Sequence, residues 1–203
     1  MIIWIIGPLA CGKTTQNKLL LASYGNGKPH YIEDVEDGVM YSFTNYGDIS
    51  SLGLMNESQC CGLDRVSSKL KNEGIKLSLQ KALEKSTMVV VESIMSASTW
   101  FPMMQSFNVP IFIFSLECSF EENVRRLRKR KWDAEDKTKC IPKDFWSMPL
   151  TDANYEFIRK TRNQYAGIFK KFIGEAEGCV IQMDGKTPQV INKEIRNFIV
   201  KNV

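Results

Sequence analysis

The sequence contains a single histidine, no Cys-x-x-Cys pair and no apolar run long enough to cross a membrane. A membrane-spanning helix needs about 18 or more consecutive apolar residues, so we expect no membrane partner. With His30 alone, a zinc site built on several histidines is excluded, and a Ser-His-Asp triad has only one histidine to draw on. The apolar start of the chain is too short for a signal peptide and lacks a basic start. We therefore expect a cytoplasmic protein.

Cysteine spacing and charge also exclude several classes of protein. The six cysteines are scattered without metal-ligand spacing, which favours free thiols in a reducing compartment over a disulfide framework. Apolar residues make up 43% and charged residues 25%, as is ordinary for a soluble globular protein, and the length of 203 residues suits one domain, 1–203. A net charge of +4 permits a polyanionic partner without requiring one.

The first motif in the sequence begins at residue 1. The apolar residues 1–6 run directly into the pattern G-x-x-x-x-G-K-T, and a helical stretch follows. Strand, glycine-rich loop and helix in this order are the Walker A arrangement, in which backbone N–H groups and a helix N-terminus surround phosphate oxygens. The predicted nucleotide-binding residues are Gly7, Pro8, Leu9, Ala10, Cys11, Gly12, Lys13, Thr14 and Thr15.

Two side chains of this loop carry the chemistry. Lys13 is expected to reach the β- and γ-phosphates, and the Thr14 hydroxyl is expected to bind Mg²⁺. The sequence therefore predicts a protein that binds a nucleoside triphosphate, with ATP and Mg²⁺ as its cofactors.

Further apolar runs alternate with helix-like stretches. Near-continuous apolar strands separated by helices predict an α/β protein with a five-stranded parallel sheet and helices on both faces, the three-layer P-loop NTPase fold. The predicted strands are 1–6, 29–32, 87–91, 109–116 and 179–183, and the clearest helices are 77–86, 119–131 and 152–172. Residues 38–74, rich in Gly, Ser, Asn and Tyr, are predicted to be an insertion of short strands and loops.

Acidic residues follow several of the predicted strands, where ligands of parallel sheets bind. Glu92, at the tip of the third strand, is predicted to hold the Mg²⁺ water shell or to act as a base, the alternative being an acid that stabilises a helix N-terminus. Asp34 follows the second strand and is a candidate to accept the proton of the substrate hydroxyl, although a solvated acidic turn explains it equally well. Asp184 follows the fifth strand.

A basic run occupies residues 125–131, after a helix that opens with the capping-box pattern of Ser119 and Glu122. A solvated helix face is the simpler interpretation. The run also lies where nucleoside and nucleotide kinases carry an arginine-rich lid, here about 125–147. We predict Arg128 and Arg130 as the lid arginines, because Arg125 and Arg126 have acidic partners one helical turn away.

Taken together, the phosphate loop, Glu92 and the arginine-rich helix resemble the nucleoside and nucleotide kinase branch of P-loop proteins. Within that branch, Gly62-Leu63-Asp64-Arg65-Val66-Ser67 followed by Val-Val-Val-Glu-Ser is similar to bacteriophage kinases that phosphorylate 5-hydroxymethyluracil in DNA during thymidine hypermodification. Those kinases have Gly-Thr-Asp where this chain has Gly-Leu-Asp. Without the resemblance, the segment is a polar loop that caps a helix.

This resemblance implies that Asp64, Arg65 and Ser67 line the acceptor site. It also implies a base flipped out of DNA, salt-dependent DNA binding and, for a viral chain, the host cytoplasm as its location. A soluble deoxynucleoside monophosphate kinase is the alternative. A GTPase-type switch or binding module is disfavoured, because Val91-Glu92-Ser93-Ile94 stands where Asp-x-x-Gly would follow the third strand and the chain has no Asn-Lys-x-Asp sequence.

Overall fold

A seven-stranded sheet forms the centre of the molecule in the computed structural model, which describes residues 1–8, 10–55, 72–92, 97–133 and 152–203. The strands are β1 (Ile2–Ile6), β2 (His30–Glu36), β3 (Val39–Asn45), β4 (Ile49–Leu52), β5 (Met88–Glu92), β6 (Ile111–Glu117) and β7 (Glu177–Gln182). Within the described ranges the helices are α1 (Lys13–Tyr24), α2 (Asn72–Lys85), α3 (Ala97–Gln105), α4 (Phe120–Asp133), α5 (Asp152–Phe172) and α6 (Pro188–Asn202). None of these helices combines the length and apolar character that crossing a membrane requires.

The spatial order of the strands is β2-β3-β4-β5-β1-β6-β7. Strands β4, β5, β1, β6 and β7 run parallel to one another, so the predicted α/β class is confirmed. The sheet has seven strands instead of the predicted five, because β2 and β3 add an antiparallel hairpin beside β4. The chain continues from β1 to strands on one side of it and later adds β6 on the other. The loops after these strands diverge above β1, where ligands of such sheets bind.

The second predicted strand was wrong in its bounds and direction. Residues 30–36 form an exposed edge strand that pairs antiparallel with β3. Asp37 and Gly38, with φ of 51° and 78°, join the two strands in a two-residue hairpin turn. The second parallel strand is instead Ile49–Leu52, inside the segment that we expected to be an insertion.

Serines at the centre of β4 explain why that strand carries no apolar signal. Ser50 and Ser51 are fully buried. The Ser50 hydroxyl lies 2.7 Å from that of Ser86, and Ser51 Oγ accepts a hydrogen bond of 2.8 Å from Asn17 Nδ2. Because these hydroxyls are hydrogen-bonded, the strand can be buried without apolar side chains at these positions.

Helices cover both faces of the sheet. Ile2, Trp4 and Ile6 pack in a cluster with residues of α2, α3 and α5, whereas Ile3 and Ile5 pack in a cluster with residues of α1 and α6. All five side chains of β1 are at most 1% exposed. Burying one such side chain contributes about 1.5–3 kcal/mol to the stability of the fold. The loop that follows β1 is therefore anchored to a tightly packed strand.

Helix predictions were correct where the apolar stripe was long. Helix α5 begins and ends as predicted, with Ile158, Tyr165 and Phe172 of its stripe buried. Helix α4 matches the prediction within two residues at each end, and α2 begins five residues earlier than predicted. Helices α3 and α6 were not predicted.

Candidate functional site

The loop after β1 has the backbone of an anion site. Gly7 and Gly12 have φ of 148° and 92°, and Ala10 has φ of 57°. A Cβ atom on Gly7 would lie 2.6 Å from the carbonyl oxygen of Leu116, so only glycine fits there. Helix α1 begins at Lys13 without a side-chain cap, so the N–H groups of its first turn are available to an anion.

Lys13 is folded against this loop. Its Nζ donates hydrogen bonds of 2.8 Å and 3.0 Å to the carbonyl oxygens of Gly7 and Pro8. The ammonium also lies 5.7 Å from the centroid of the Tyr165 ring on α5, within the range of a cation–π contact. The lysine side chain is only 8% exposed, so its charge is already held at the loop.

Glu92 lies where the sequence predicted, at the end of a buried strand beside β1. It pairs in register with Ile5, two residues before Gly7. Its side chain is 4% exposed, and Glu92 Oε1 accepts a hydrogen bond of 3.0 Å from Thr14 Oγ1. Among the described residues, Glu92 is the only buried acid. The structure therefore brings the two predicted metal ligands together.

Both oxygens suit Mg²⁺. This ion takes one or two protein oxygens and completes its shell with phosphate oxygens and water. The described residues hold no group of three or more His, Cys, Asp or Glu side chains that could bind a metal alone. Thr14 and Glu92 therefore fit a metal that arrives with a nucleotide rather than one bound by the protein alone.

Arg126 contacts the phosphate loop, which the sequence analysis did not predict. Its Nε donates a hydrogen bond of 2.7 Å to Glu122 Oε1, and its Nη1 lies 3.4 Å from the carbonyl oxygen of Cys11. The sequence predicts Arg128 and Arg130 instead, because Arg126 has an acidic partner in the same helix, and that partner is Glu122. That partner holds the guanidinium near the loop. The acid four residues before Arg125 is Glu121, but Arg125 bonds to Glu122 instead.

A cavity of about 660 Å³ opens beside the loop, between α1, α4 and the segment after β7. It combines two arginines with apolar and backbone surface, which suits a planar base attached to phosphates. Its lining residues include Gly12, Gln16, Arg126, Met183, Lys186 and Ile191. Gln16 Nε2 donates to the Pro188 carbonyl oxygen at 3.2 Å and so connects α1 to the start of α6.

The cysteines near the loop are free thiols. Cys11 and Cys118 are buried, and Cys179 is half-buried. Burial raises the pKa of Cys118 to about 11, and the pKa of Cys179 is raised to about 11 for the same reason. Both thiols are therefore protonated at neutral pH and poor nucleophiles. The Cys118 carbonyl oxygen accepts a hydrogen bond from Arg162 of α5.

Two of the acids that the sequence places near strand ends, Asp34 and Asp184, form hydrogen bonds with residues outside the phosphate loop. Asp34 lies inside β2, and its carboxylate accepts a hydrogen bond of 2.8 Å from the N–H of Val35 and lies 3.5 Å from Tyr41 Oη. The predicted catalytic role of Asp34 depended on a place just after a parallel strand, and that placement was wrong. Asp184 follows β7 and accepts hydrogen bonds from the N–H and hydroxyl of Ser119, at the start of α4.

Several predicted residues lie outside the described residues or side chains. These are Leu9 of the phosphate loop, the acceptor candidates Asp64, Arg65 and Ser67, and the side chains of Arg128 and Arg130. The segment with the acceptor candidates joins the end of β4 to the start of α2. Since β4 runs parallel to β5, β4 ends at the same edge of the sheet that carries Glu92.

Comparisons with known proteins identify the fold. No protein-family model and no curated protein matches the sequence. Among solved structures, the YorR protein of Bacillus subtilis, in complex with phosphorylated GDP, has a TM-score of 0.56 at 11% identity, covering 98% of this chain and 95% of that one. Deoxyadenosine kinase of M. mycoides, with the products dCMP and dCDP, has a TM-score of 0.51 at 11% identity and covers 100% of both chains.

Shikimate kinase of Acinetobacter baumannii, in complex with shikimate, has a TM-score of 0.51 at 12% identity and covers 99% of this chain and 93% of that one. At these identities the likeness concerns the fold. This chain therefore has the fold of P-loop kinases, with the phosphate loop, Glu92 and Arg126 at the carboxyl edge of its sheet.

Proposed function

We propose that this protein is a P-loop kinase that transfers the γ-phosphoryl group of ATP to a hydroxyl of a nucleotide-type acceptor. The observation that carries the proposal is the hydrogen bond between Thr14 and the buried Glu92, directly beside the phosphate loop. A binding module needs the loop alone, whereas phosphoryl transfer also needs a group that orients the metal or accepts a proton.

Each residue then has a defined task. The N–H groups of the loop and of the first turn of α1 hold the phosphates, and Lys13 moves from the carbonyl oxygens of Gly7 and Pro8 to the β- and γ-phosphates. Arg126 lines the cavity in which the base and ribose of ATP fit. Bound Mg²⁺, held by Thr14 and Glu92, supplies charge compensation for the phosphates.

The transfer step balances as a substitution at phosphorus. The acceptor oxygen forms a bond to the γ-phosphorus, the bond from that phosphorus to the β–γ bridging oxygen breaks, and ADP leaves. The proton of the acceptor hydroxyl passes to a base or to water. Glu92, a carboxylate beside the site, either accepts this proton or would serve to hold the Mg²⁺.

For the acceptor, we propose the hydroxymethyl group of 5-hydroxymethyluracil in DNA. The support is the sequence Gly62-Leu63-Asp64-Arg65-Val66-Ser67, in a segment that joins β4 to α2. Asp64, Arg65 and Ser67 are the proposed acceptor-binding residues. A duplex base would have to leave the stack to reach the phosphate loop, and Lys and Arg contacts to the DNA backbone would make binding salt-dependent.

A soluble nucleoside or nucleoside monophosphate is the second candidate, favoured by the hairpin of β2 and β3. Phe43 pairs with Leu52, the last residue of β4, so residues 39–42 of β3 extend beyond the parallel strand. Four exposed acids occupy this hairpin: Glu33, Asp34, Glu36 and Asp37. Their negative charge opposes a phosphate backbone on that side of the sheet edge.

One labelling experiment tests both candidates. Protein, Mg²⁺ and γ-labelled ATP are incubated with a panel of deoxynucleosides and their monophosphates, with DNA that contains 5-hydroxymethyluracil and with matched thymine DNA. Label in the modified DNA alone supports the first acceptor, and label in a soluble product supports the second. The variant Asp64→Asn should impair acceptor use while leaving ATP affinity intact. If no acceptor in the panel becomes labelled, the proposal of a kinase for nucleotide-type acceptors is contradicted.

A further inference from the structure

The start of helix α4 departs from the capping box that its sequence predicts. Ser119 is the N-cap, and its Oγ accepts a hydrogen bond of 3.2 Å from the N–H of Glu122. In a complete capping box the glutamate carboxylate would bond to the N–H of the N-cap residue. Here Asp184 accepts that N–H at 2.8 Å and 3.1 Å. The carboxylate of Glu122 is therefore available for other partners.

Glu122 uses its carboxylate for two arginines. Arg125 donates to it through Nε at 2.6 Å and through Nη2 at 2.7 Å, and Arg126 donates through Nε at 2.7 Å. The side chains of Glu122 and Arg126 are 19% and 21% exposed, whereas that of Arg125 is 65% exposed. The pair with Arg126 is therefore the better shielded of the two and the less weakened by solvent.

The other end of Arg126 lies on the phosphate loop. Its Nη1 is 3.4 Å from the carbonyl oxygen of Cys11 and 4.0 Å from Met183 Sδ. Glu122 at one end and Cys11 at the other fix the plane of the guanidinium along one wall of the cavity. Lysine could not replace this arrangement, because it lacks the planar fork of donors.

We propose that Glu122 is the positioning residue that orients Arg126 toward the donor nucleotide, and that Asp184 makes this possible by taking over the cap of α4. The inference rests on the proposed function for the identity of the nucleotide. Glu122 itself acts through Arg126.

The variant Glu122→Gln tests this role against Glu121→Gln. Glu121 is an exposed acid in the same first turn of α4, so both changes remove one charge near the same helix end. A hydrogen bond to a charged group corresponds to roughly a tenfold effect, so Glu122→Gln should raise the KM for ATP about tenfold with a smaller change in kcat. Glu121→Gln should leave both constants near the wild-type values. An unchanged KM in Glu122→Gln would overturn the proposal.

A double-mutant cycle separates positioning from a purely structural effect. In the Arg126→Ala background, Glu122→Gln should raise the KM for ATP no further. In the Arg125→Ala background, it should still raise the KM about tenfold. Equal additional losses in both backgrounds would show that Glu122 stabilises the fold rather than orienting Arg126. Thermal unfolding of each variant controls for general destabilisation.

A binding and a spectroscopic readout separate this inference from the proposed function. If wild-type protein transfers no phosphoryl group, the Kd for ATP in the same variants still tests the orientation of Arg126. If ATP does not bind, the ¹⁵Nε–H resonance of Arg126 in nucleotide-free protein serves as the readout instead of the Kd. Glu122→Gln should shift this resonance and speed its exchange with water, and Glu121→Gln should not. A resonance that is unchanged in Glu122→Gln would refute the positioning role whatever the ligand is.

Discussion

The hydroxyl of Thr14 donates a hydrogen bond of 3.0 Å to the carboxylate of Glu92, which joins the first turn of α1 to the end of β5. The two residues are 78 positions apart in sequence. They meet because β5 pairs with β1 in a register that sets Glu92 level with Ile5. Sheet register therefore places a carboxylate beside the hydroxyl of the phosphate loop.

Removing the charge of Glu92 should slow the reaction. We expect Glu92→Gln to lower kcat by about 10²-fold or more, because the amide neither accepts a proton nor holds a metal as the carboxylate does. It should also raise the Mg²⁺ concentration needed for half-maximal rate. The measurement is steady-state phosphoryl transfer over a Mg²⁺ series, with the exposed acid Glu84 changed to Gln as the control. An unchanged kcat would assign Glu92 to helix and loop stability alone.

Two glycine substitutions should have opposite effects on stability. At Gly7 the added methyl group meets the Leu116 carbonyl oxygen at 2.6 Å and Cys11 Sγ at 2.7 Å, and φ is 148°. Strain of this kind costs about 1–3 kcal/mol, so Gly7→Ala should lower the free energy of unfolding and weaken nucleotide binding.

The control for this prediction is Gly167→Ala, in helix α5, where the added methyl group meets no atom within 4 Å. Alanine is the better helix former, so this variant should gain about 0.5–1 kcal/mol of stability. Denaturant unfolding of both variants provides the comparison. Equal stabilities would show that the conformation of Gly7 is not constrained as the structure indicates.

The aromatic ring of Tyr165 should affect catalysis through Lys13. Tyr165 is 3% exposed and lies 5.7 Å from Lys13 Nζ. Tyr165→Phe keeps the ring and should retain most of the activity, whereas Tyr165→Leu removes it and should lower kcat/KM roughly fivefold. Kinetics of both variants at matched folded fractions give the test. Similar losses in Phe and Leu would point to the hydroxyl instead of the ring.

Acid should weaken the fold at Glu122. Hydrogen bonds from Arg125 and then Arg126 lower the pKa of this carboxyl from its ordinary value of 4.5 to about 2. A lowered folded-state pKa gives stability that is present above pH 4.5 and is lost as the pH falls toward 2. Across that range, the free energy of unfolding of wild-type protein should fall more than that of Glu122→Gln. Parallel pH dependences would show that the arginines do not stabilise the carboxylate.

Local sequence signals were sufficient for the phosphate loop, Glu92 and helix α5. Each has a continuous apolar strand, a motif of fixed spacing or a long apolar stripe, so no distant contact is needed to recognise it. Helix α6 also had a local signal that we did not use. Thr187 caps it, with Val190 N donating to the threonine hydroxyl at 3.4 Å, and Pro188 occupies its first turn.

Tertiary contacts explain the two main errors. Strand β4 has buried serines that depend on Asn17 and Ser86, partners distant in sequence. Helical spacing gives Arg126 an acidic partner, which argued against a role at the site. That partner, Glu122, instead holds Arg126 at the loop. Glu122 is free to do so because Asp184, 62 residues away from Glu122, caps helix α4 in the place of Glu122. The Asp37-Gly38 pair, by contrast, is a local hairpin signal that would have given the correct direction of β2.

The central claim is that the loop from Gly7 to Thr15 is the donor site of a kinase. The most direct measurement is transfer of label from γ-labelled ATP to the acceptor panel by wild-type protein and by Lys13→Ala, with equal folding verified by circular dichroism. We expect labelled product with wild type and none above background with Lys13→Ala, which lacks the ammonium that binds the β- and γ-phosphates. Transfer by Lys13→Ala at a rate near that of wild type would contradict the account.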